Sequence, residues 1–244
     1  FDEMANLQKG TLDKIEHFLN KKGFTYEVII VDDGSKDGSV EFVREFAREN
    51  SRFKLILNPH LGKAGAVTTG MLSASGKYIL FADMDQATPI EELDKLLPNF
   101  NPPAGGYDIV IGSRSNVRKG APWTRILMAR GMMVLRTIIV GISGISDTQC
   151  GFKMFKHDAA YRLFSTIKNI HNGFRKISGS SVDAGFDVEL LYLAQKMGFK
   201  IKEAPVKWLY VETRRVNPLS DSINGFKELL SIKLNSLLGK YKNV

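Results

Sequence analysis

Tyr26-Glu27-Val28-Ile29-Ile30-Val31, followed at once by Asp32-Asp33-Gly34-Ser35, is the stretch on which the fold turns. A continuous apolar, β-branched run that ends abruptly in acids and a glycine is the pattern of a strand covered on both faces. Outward from it, the spacing of Leu12, Ile15, Phe18 and Leu19 predicts a helix within 7–22, and 39–50 reads as another. Further strands are predicted at 53–57, 78–82 and 108–111, separated by helices at 64–75 and 89–100. Alternation of this kind predicts an α/β fold with a mostly parallel sheet and helices on both faces. Ligands of such sheets bind beyond the carboxyl ends of the strands, and Asp32, Asp33, Asp83, Asp85 and Arg114 all fall there.

The second half has a different texture. Residues 123–140 form a long apolar-rich helix that carries Arg125, Arg130 and Arg136. Residues 147–153 are polar and compact, 185–197 read as a helix, 200–211 as a strand region and 220–238 as a final helix. Residues 169–184, rich in Gly, Ser and Asn, read as a loop. The division is therefore 1–114 and 115–244, two halves of one continuous domain. The chain opens on a helix where such sheets open on a strand, so an initial strand is expected to be missing before Phe1, or Phe1 to be its last residue.

The 244 residues, 43% hydrophobic and 25% charged, are ample for a sizeable core. A formal charge of +8 points to an anionic partner. The single cysteine, Cys150, excludes an internal disulfide and reads as a buried thiol of an intracellular chain. No run is long and apolar enough to span a bilayer. The helix at 220–238 pairs an apolar stripe (Ile223, Phe226, Leu229, Leu230, Leu234, Leu237, Leu238) with Lys227 and Lys233, followed by Lys240 and Lys242. That pattern suits a lipid interface, as it suits packing on a sheet.

Asp83-Met84-Asp85 is the strongest local signal. Two carboxylates one residue apart beyond a strand can both reach Mg²⁺ or Mn²⁺, which leaves other coordination positions to water and phosphate. Alone the pair could equally cap the next helix; a second acidic pair, Asp32-Asp33, on an earlier strand favours the metal. Gly62-Lys63-Ala64-Gly65-Ala66 opens a helix where an anion could approach the backbone, or where loop and helix simply pack.

In order and spacing, Val31-Asp32-Asp33-Gly34-Ser35-Lys36-Asp37, Gly62-Lys63-Ala64-Gly65-Ala66, Asp83-Met84-Asp85 and Gly112-Ser113-Arg114 resemble the inverting family 2 glycosyltransferases of GT-A fold. Asp147-Thr148-Gln149-Cys150-Gly151-Phe152-Lys153 and Phe186-Asp187-Val188-Glu189-Leu190-Leu191 resemble the dolichyl-phosphate β-glucosyltransferase branch and its prokaryotic polyprenyl-phosphate relatives. The resemblance implies transfer of a hexose, glucose from UDP-glucose by preference and mannose from GDP-mannose as the alternative, to a polyprenyl or dolichyl phosphate. It implies Mg²⁺ or Mn²⁺ on Asp83 and Asp85, and a nucleotide-sugar held by Glu3, Asp32, Asp33, Ser35, Lys63 and Asp83. Phe1-Asp2-Glu3 matches the end of the family's opening strand, with Phe and Asp in place of Tyr and Asn. Arg114, Arg125, Gln149 and Lys153 are the expected contacts of the acceptor phosphate. Asp187, with Arg114 and Arg125, is the expected catalytic group, and Glu189 is expected to support the helix or pair with Lys153. The implied setting is peripheral, on the cytoplasmic face of a membrane. Competing expectations are a family 2 enzyme acting on a saccharide or protein, and a receiver-like binding module, which would leave 115–244 unexplained. No nucleic-acid motif accompanies the positive charge.

Overall fold

The computed structural model describes residues 1–101, 106–114, 123–176, 184–209 and 218–242, without the side chains of 123–130, 132, 184 and 218–222. The chain opens with α1 (Met4–Leu7) and α2 (Thr11–Asn20), and continues with β1 (Val28–Asp32), α3 (Ser39–Glu49), β2 (Phe53–Leu57), α4 (Gly62–Ser73) and β3 (Tyr78–Ala82). The helix expected over 7–22 is α2, which starts only at Thr11 because Gly10, at φ +72°, turns the backbone left-handed after α1. The helix expected over 89–100 is broken too. Two 3₁₀ turns flank the single α turn α5 (Leu93–Leu96), and Pro98 lacks the N–H that an unbroken helix would donate to the carbonyl of Asp94.

Next come β4 (Ile109–Ser113) and α6 (Trp123–Val140), then two elements that the sequence reading did not assign, β5 (Phe152–Lys156) and α7 (His157–Ile170). The chain finishes with α8 (Ala184–Lys196), β6 (Ile201–Pro205) and α9 (Pro218–Leu237). Of the loop expected over 169–184, residues 171–176 form a turn after α7, and 177–183 lie outside the described residues, as do 210 and 211 of the expected strand region.

β1 and β2 pair in parallel. The larger sheet runs β3-β5-β4-β6, in which β5 is antiparallel to both neighbours and β4 and β6 are parallel. It draws two strands from each half of the chain. Side chains alternate across it. Ile109, Ile111 and Phe155 face a core shared with α7 and α8, and Val110, Phe152 and Met154 face one shared with α5. With both faces covered, β4 is buried at every position. The tips of β1 and β3 carry Asp32 and Asp83 at one edge of this core.

Candidate active site

Four loops meet at this edge, and backbone hydrogen bonds to acidic side chains hold them. Asp32 Oδ1 accepts the N–H groups of Gly34 and Ser35, both at 2.9 Å, which closes the turn after β1. Asp33, 4% exposed, accepts the N–H of Leu61 and of Gly62, both at 2.7 Å, and lies 3.1 Å from His60 Nδ1. It thereby ties the tip of β1 to the first turn of α4. Ser35 Oγ accepts the N–H of Asp2, Ser39 Oγ that of Glu3, and Phe1 stacks on His60 at 4.6 Å. Glu3 itself accepts from Asn6 Nδ2 at 2.5 Å. The expected nucleotide-binding residues are thus drawn together, with Asp32 and Asp33 shaping the loops through their own carboxylates.

Lys63, one residue into α4, reaches the tip of β3 and sits 2.9 Å from Asp83 Oδ1. Burial lowers the tendency of Lys63 to hold its proton, but Asp83, Asp187 and Asp85 outweigh it and raise the ammonium above the ordinary lysine range. Asp83 remains 42% exposed at its side chain and donates its N–H to Gly151 O at 3.1 Å. Glycine at 151 leaves room for the Asp83 carboxylate in this position, since a Cβ would stand 1.8 Å from Asp83 Oδ2. Asp85 Oδ1 accepts the N–H of Ala87.

Asp83 and Asp85 line one cavity of 210 Å³, together with Thr88, Arg114, Gln149 and Trp208. Among the described residues no three His, Cys, Asp or Glu side chains could enclose an ion alone. Two carboxylates on an open cavity, already attracting a lysine ammonium, do fit a divalent cation that completes its shell with phosphate and water.

Arg114 stands on the far wall. Asp147 grips it twice, Nε to Oδ2 at 2.7 Å and an Nη to Oδ1 at 2.9 Å, and also accepts its N–H. Burial opposes charge on both partners. Their mutual attraction outweighs it, holding Arg114 above and Asp147 below their ordinary values. The loop carrying Asp147 is fastened from two sides. Glu203 on β6 accepts from the N–H groups of Ser146 and Asp147. Arg136 on α6, 6% exposed, donates to Thr148 Oγ1 and Ile145 O. Burial pulls the Arg136 guanidinium down, with Glu203 and Asp147 compensating in part.

Two expected site residues are buried. Lys153 is fully buried and donates to Cys150 O and to Asp187 Oδ1, the latter at 2.5 Å. β5 points it inward with Phe155, so it is a strut beneath the site and cannot meet an acceptor phosphate. Asp187, 4% exposed, pairs with Lys153 and lines neither the Asp83 cavity nor the one beside the first turn of α4, while its charge also acts on Lys63 and Arg114. The partner of Lys153 is Asp187; Glu189 instead binds His171 at 2.7 Å and the Tyr241 hydroxyl at 2.6 Å. Gln149 does line the cavity, and the Arg125 side chain lies outside the described residues. Burial pushes the Cys150 thiol up, so it stays protonated and structural. Sequence reasoning missed Asp147 as the clasp of Arg114, Glu203, Arg136 and Trp208. Asp147 was visible as part of a polar motif but not as a partner of Arg114, and the signal of the others was a charge or an aromatic ring.

The family model described as glycosyl transferase family 2 matches residues 6–164. The chain belongs to glycosyltransferase family 2. Among relatives of this family 2 enzyme, the dolichyl-phosphate beta-glucosyltransferase of Dictyostelium discoideum is 36% identical over 95% of this chain and 71% of its own length. The Homo sapiens protein of the same name is 34% identical over 95% and 72%. Of solved structures, glucosyl-3-phosphoglycerate synthase from Mycobacterium tuberculosis with phosphoglyceric acid superimposes with a TM-score of 0.60 at 18% identity, covering 95% of this chain and 76% of that one. The same synthase with Mn²⁺ and UDP-glucose gives 0.58 at 17% identity, over 93% and 73%. Those likenesses show the GT-A fold of this glycosyltransferase.

Proposed function

We propose that this chain transfers glucose, with inversion, from UDP-glucose to a dolichyl or polyprenyl phosphate at a membrane surface. The observation that carries the reading is the convergence of Asp83, Asp85 and Arg114 on one cavity at the strand tips. The names of its relatives supply sugar and acceptor, and the mycobacterial synthase bound to Mn²⁺ and UDP-glucose supplies a model for the donor.

Asp83 and Asp85 would hold Mg²⁺ or Mn²⁺, which when bound supplies positive charge against the departing diphosphate. Lys63, on Asp83, and Arg114 add fixed positive charge from two sides, and Trp208, whose ring Arg114 faces at 5.7 Å, walls the cavity. The acceptor oxygen forms a bond to the anomeric carbon while the bond from that carbon to the diphosphate breaks, its electron pair leaving with the nucleotide. A phosphate monoester has a second pKa of about 6 and attacks as a dianion without a general base. The engagement of Asp187 with Lys153 agrees with that economy of groups. Positioning and charge then do the work.

The membrane part rests on α6 and α9, which pack together. On α9, Leu229 and Ile232 turn inward, while Ile223, Phe226, Leu230, Leu234 and Leu237 stay exposed; on α6 so do Val134, Leu135 and Ile138. Exposed apolar side chains on two packed helices, with lysines on α9, suit a lipid interface. No helix among the described residues is long and apolar enough to cross a membrane. The one thiol, Cys150, suits a cytoplasm-facing enzyme.

The test is thermal melting with UDP-glucose or GDP-mannose, with and without Mn²⁺, followed by transfer to dolichyl phosphate. Binding to the folded state raises the melting temperature. UDP-glucose is expected to give a Mn²⁺-dependent rise that Asp85→Ala abolishes, with glucose then found on the lipid phosphate. An undiminished rise in Asp85→Ala, or transfer to a soluble saccharide with no need of lipid phosphate, would overturn the reading.

A further inference from the structure

The loop that leads from α6 to β5 is held at every residue from 145 to 151. Arg136 donates to Ile145 O and to Thr148 Oγ1. Glu203 accepts from the N–H groups of Ser146 and Asp147 and from the Ser146 hydroxyl. Asp147 clasps Arg114 and also accepts the N–H of Gln149 at 3.2 Å. Lys153 donates to Cys150 O at 2.7 Å, and Asp83 N–H to Gly151 O at 3.1 Å. Backbone groups taken out of water need such partners. The loop is thus fastened to α6, β6, β5 and the tip of β3, and Asp147, Thr148 and Cys150 are buried in the fastening.

Gln149 is the exception. It stands exposed between buried Thr148 and Cys150, and it lines the Asp83 cavity. Asp147 takes its N–H, but among the described residues its side-chain amide bonds to no protein group. The other walls of the cavity cannot do what this amide can. Carboxylates only accept, and the reading above gives Asp83 and Asp85 to the cation. A guanidinium only donates, and Arg114 already has Nε and one Nη on Asp147. The Thr88 hydroxyl is buried, 3.7 Å from Cys150 Sγ. A primary amide both donates and accepts, which is what a hydroxyl group asks of a partner.

Which hydroxyl group follows from the room available. At 210 Å³ the cavity is below the roughly 300–1,000 Å³ of pockets that enclose a whole drug-sized ligand, so it receives the reacting end of the donor, diphosphate and hexose. The charged walls serve the diphosphate. The aromatic face of Trp208 and the neutral amide of Gln149 are left for the sugar. We infer that Gln149 reads a hydroxyl of the transferred hexose and sets the preference among sugars carried on one nucleotide. Because its backbone is already fixed, little freedom is lost when the amide engages. The inference rests on the nucleotide-sugar reading above. It takes Gln149 away from the acceptor phosphate, where the family resemblance had put it; a neutral amide brings no charge to a dianion.

The test compares wild type with Gln149→Leu, similar in size but without polar atoms, and with Gln149→Ala. Melting curves should coincide, because the exposed side chain holds nothing in the protein. Binding of UDP and of UDP-glucose to the full chain is measured with Mn²⁺ and no acceptor. Initial rates of transfer to dolichyl phosphate are then compared for UDP-glucose, UDP-galactose and UDP-N-acetylglucosamine. Both variants should keep UDP affinity within about twofold and weaken UDP-glucose by about five- to tenfold, as loss of one neutral hydrogen bond implies. The margin in kcat/KM of UDP-glucose over the better of the other two donors should narrow by a similar factor. Equal weakening of UDP and UDP-glucose would put Gln149 on the nucleotide. A raised KM for dolichyl phosphate with unchanged donor constants would put it on the acceptor. Either result, or no change in any constant, overturns the inference. A wild-type chain that binds neither UDP nor UDP-glucose sinks the donor reading and this inference together, whereas unchanged UDP-glucose affinity in variants of a UDP-binding chain sinks this inference alone.

Discussion

Gly151→Ala is a one-methyl test of whether the position of the Asp83 carboxylate matters. The added Cβ would lie 1.8 Å from Oδ2, 2.3 Å from Cγ and 2.8 Å from Oδ1 of Asp83. Ordinary contact begins at 3.4 Å, so the near oxygen has to retreat by about 1.6 Å. The backbone cannot give easily, because Asp83 N–H is bonded to Gly151 O, just beyond the Ala82–Phe152 pair of the sheet. The side chain, 42% exposed, can swing outward. The strain is thereby relieved at little cost in stability, but the swing breaks the 2.9 Å contact with Lys63 and separates the two carboxylates of the cavity. A misplacement of about 1 Å at a reacting centre can cost on the order of 10²-fold, so a loss of about that size in kcat/KM for UDP-glucose is expected. The assay is initial-rate transfer to dolichyl phosphate over a Mn²⁺ titration, with thermal melting alongside. Wild-type kcat/KM and Mn²⁺ dependence in a folded Gly151→Ala protein would refute the placement of Asp83 at the chemistry.

Lys153→Met removes the only described ion-pair partner of Asp187 and leaves a carboxylate buried without compensation, a loss of about 3–5 kcal/mol measurable by urea unfolding; Lys153→Met with Asp187→Leu should recover much of it. Arg136→Met should lower kcat/KM by about tenfold through the loosened Asp147 loop, while removal of a buried guanidinium whose Nε has no partner keeps the melting temperature within a few degrees. Glu27 is held down to about 2 from 4.5 by Ser75 first and Lys54 next. Its folded pKa is depressed, so its contribution is complete above 4.5 and lost as pH falls toward 2. The difference in unfolding free energy between wild type and Glu27→Gln should shrink across that window and be flat above it, and a difference that grows on acidification would contradict the assignment.

The first half of the fold was readable because its strands are apolar runs cut off by acids: 53–57 and 78–82 were placed to the residue. β5 escaped because Phe152-Lys153-Met154-Phe155-Lys156 carries two lysines, and a lysine is read as a surface residue. Only the three-dimensional partner, Asp187, explains an interior Lys153. α7 has a regular stripe, Ala160, Leu163, Phe164 and Ile167, that periodicity could have found. Asp83 and Asp85 were legible from a two-residue spacing. The Arg114–Asp147 clasp was not, because 33 residues separate its members and no local pattern links them.

α6 looks in two directions. Val134, Leu135 and Ile138 face outward, and Arg136 between them reaches inward to the loop that orients Arg114. A rigid rod anchored at one side in the catalytic loop cannot shift on the other without pulling on it. What rests against the outer side of this helix is thus coupled to catalysis, and a bilayer there would act as part of the enzyme's framework as well as its substrate reservoir.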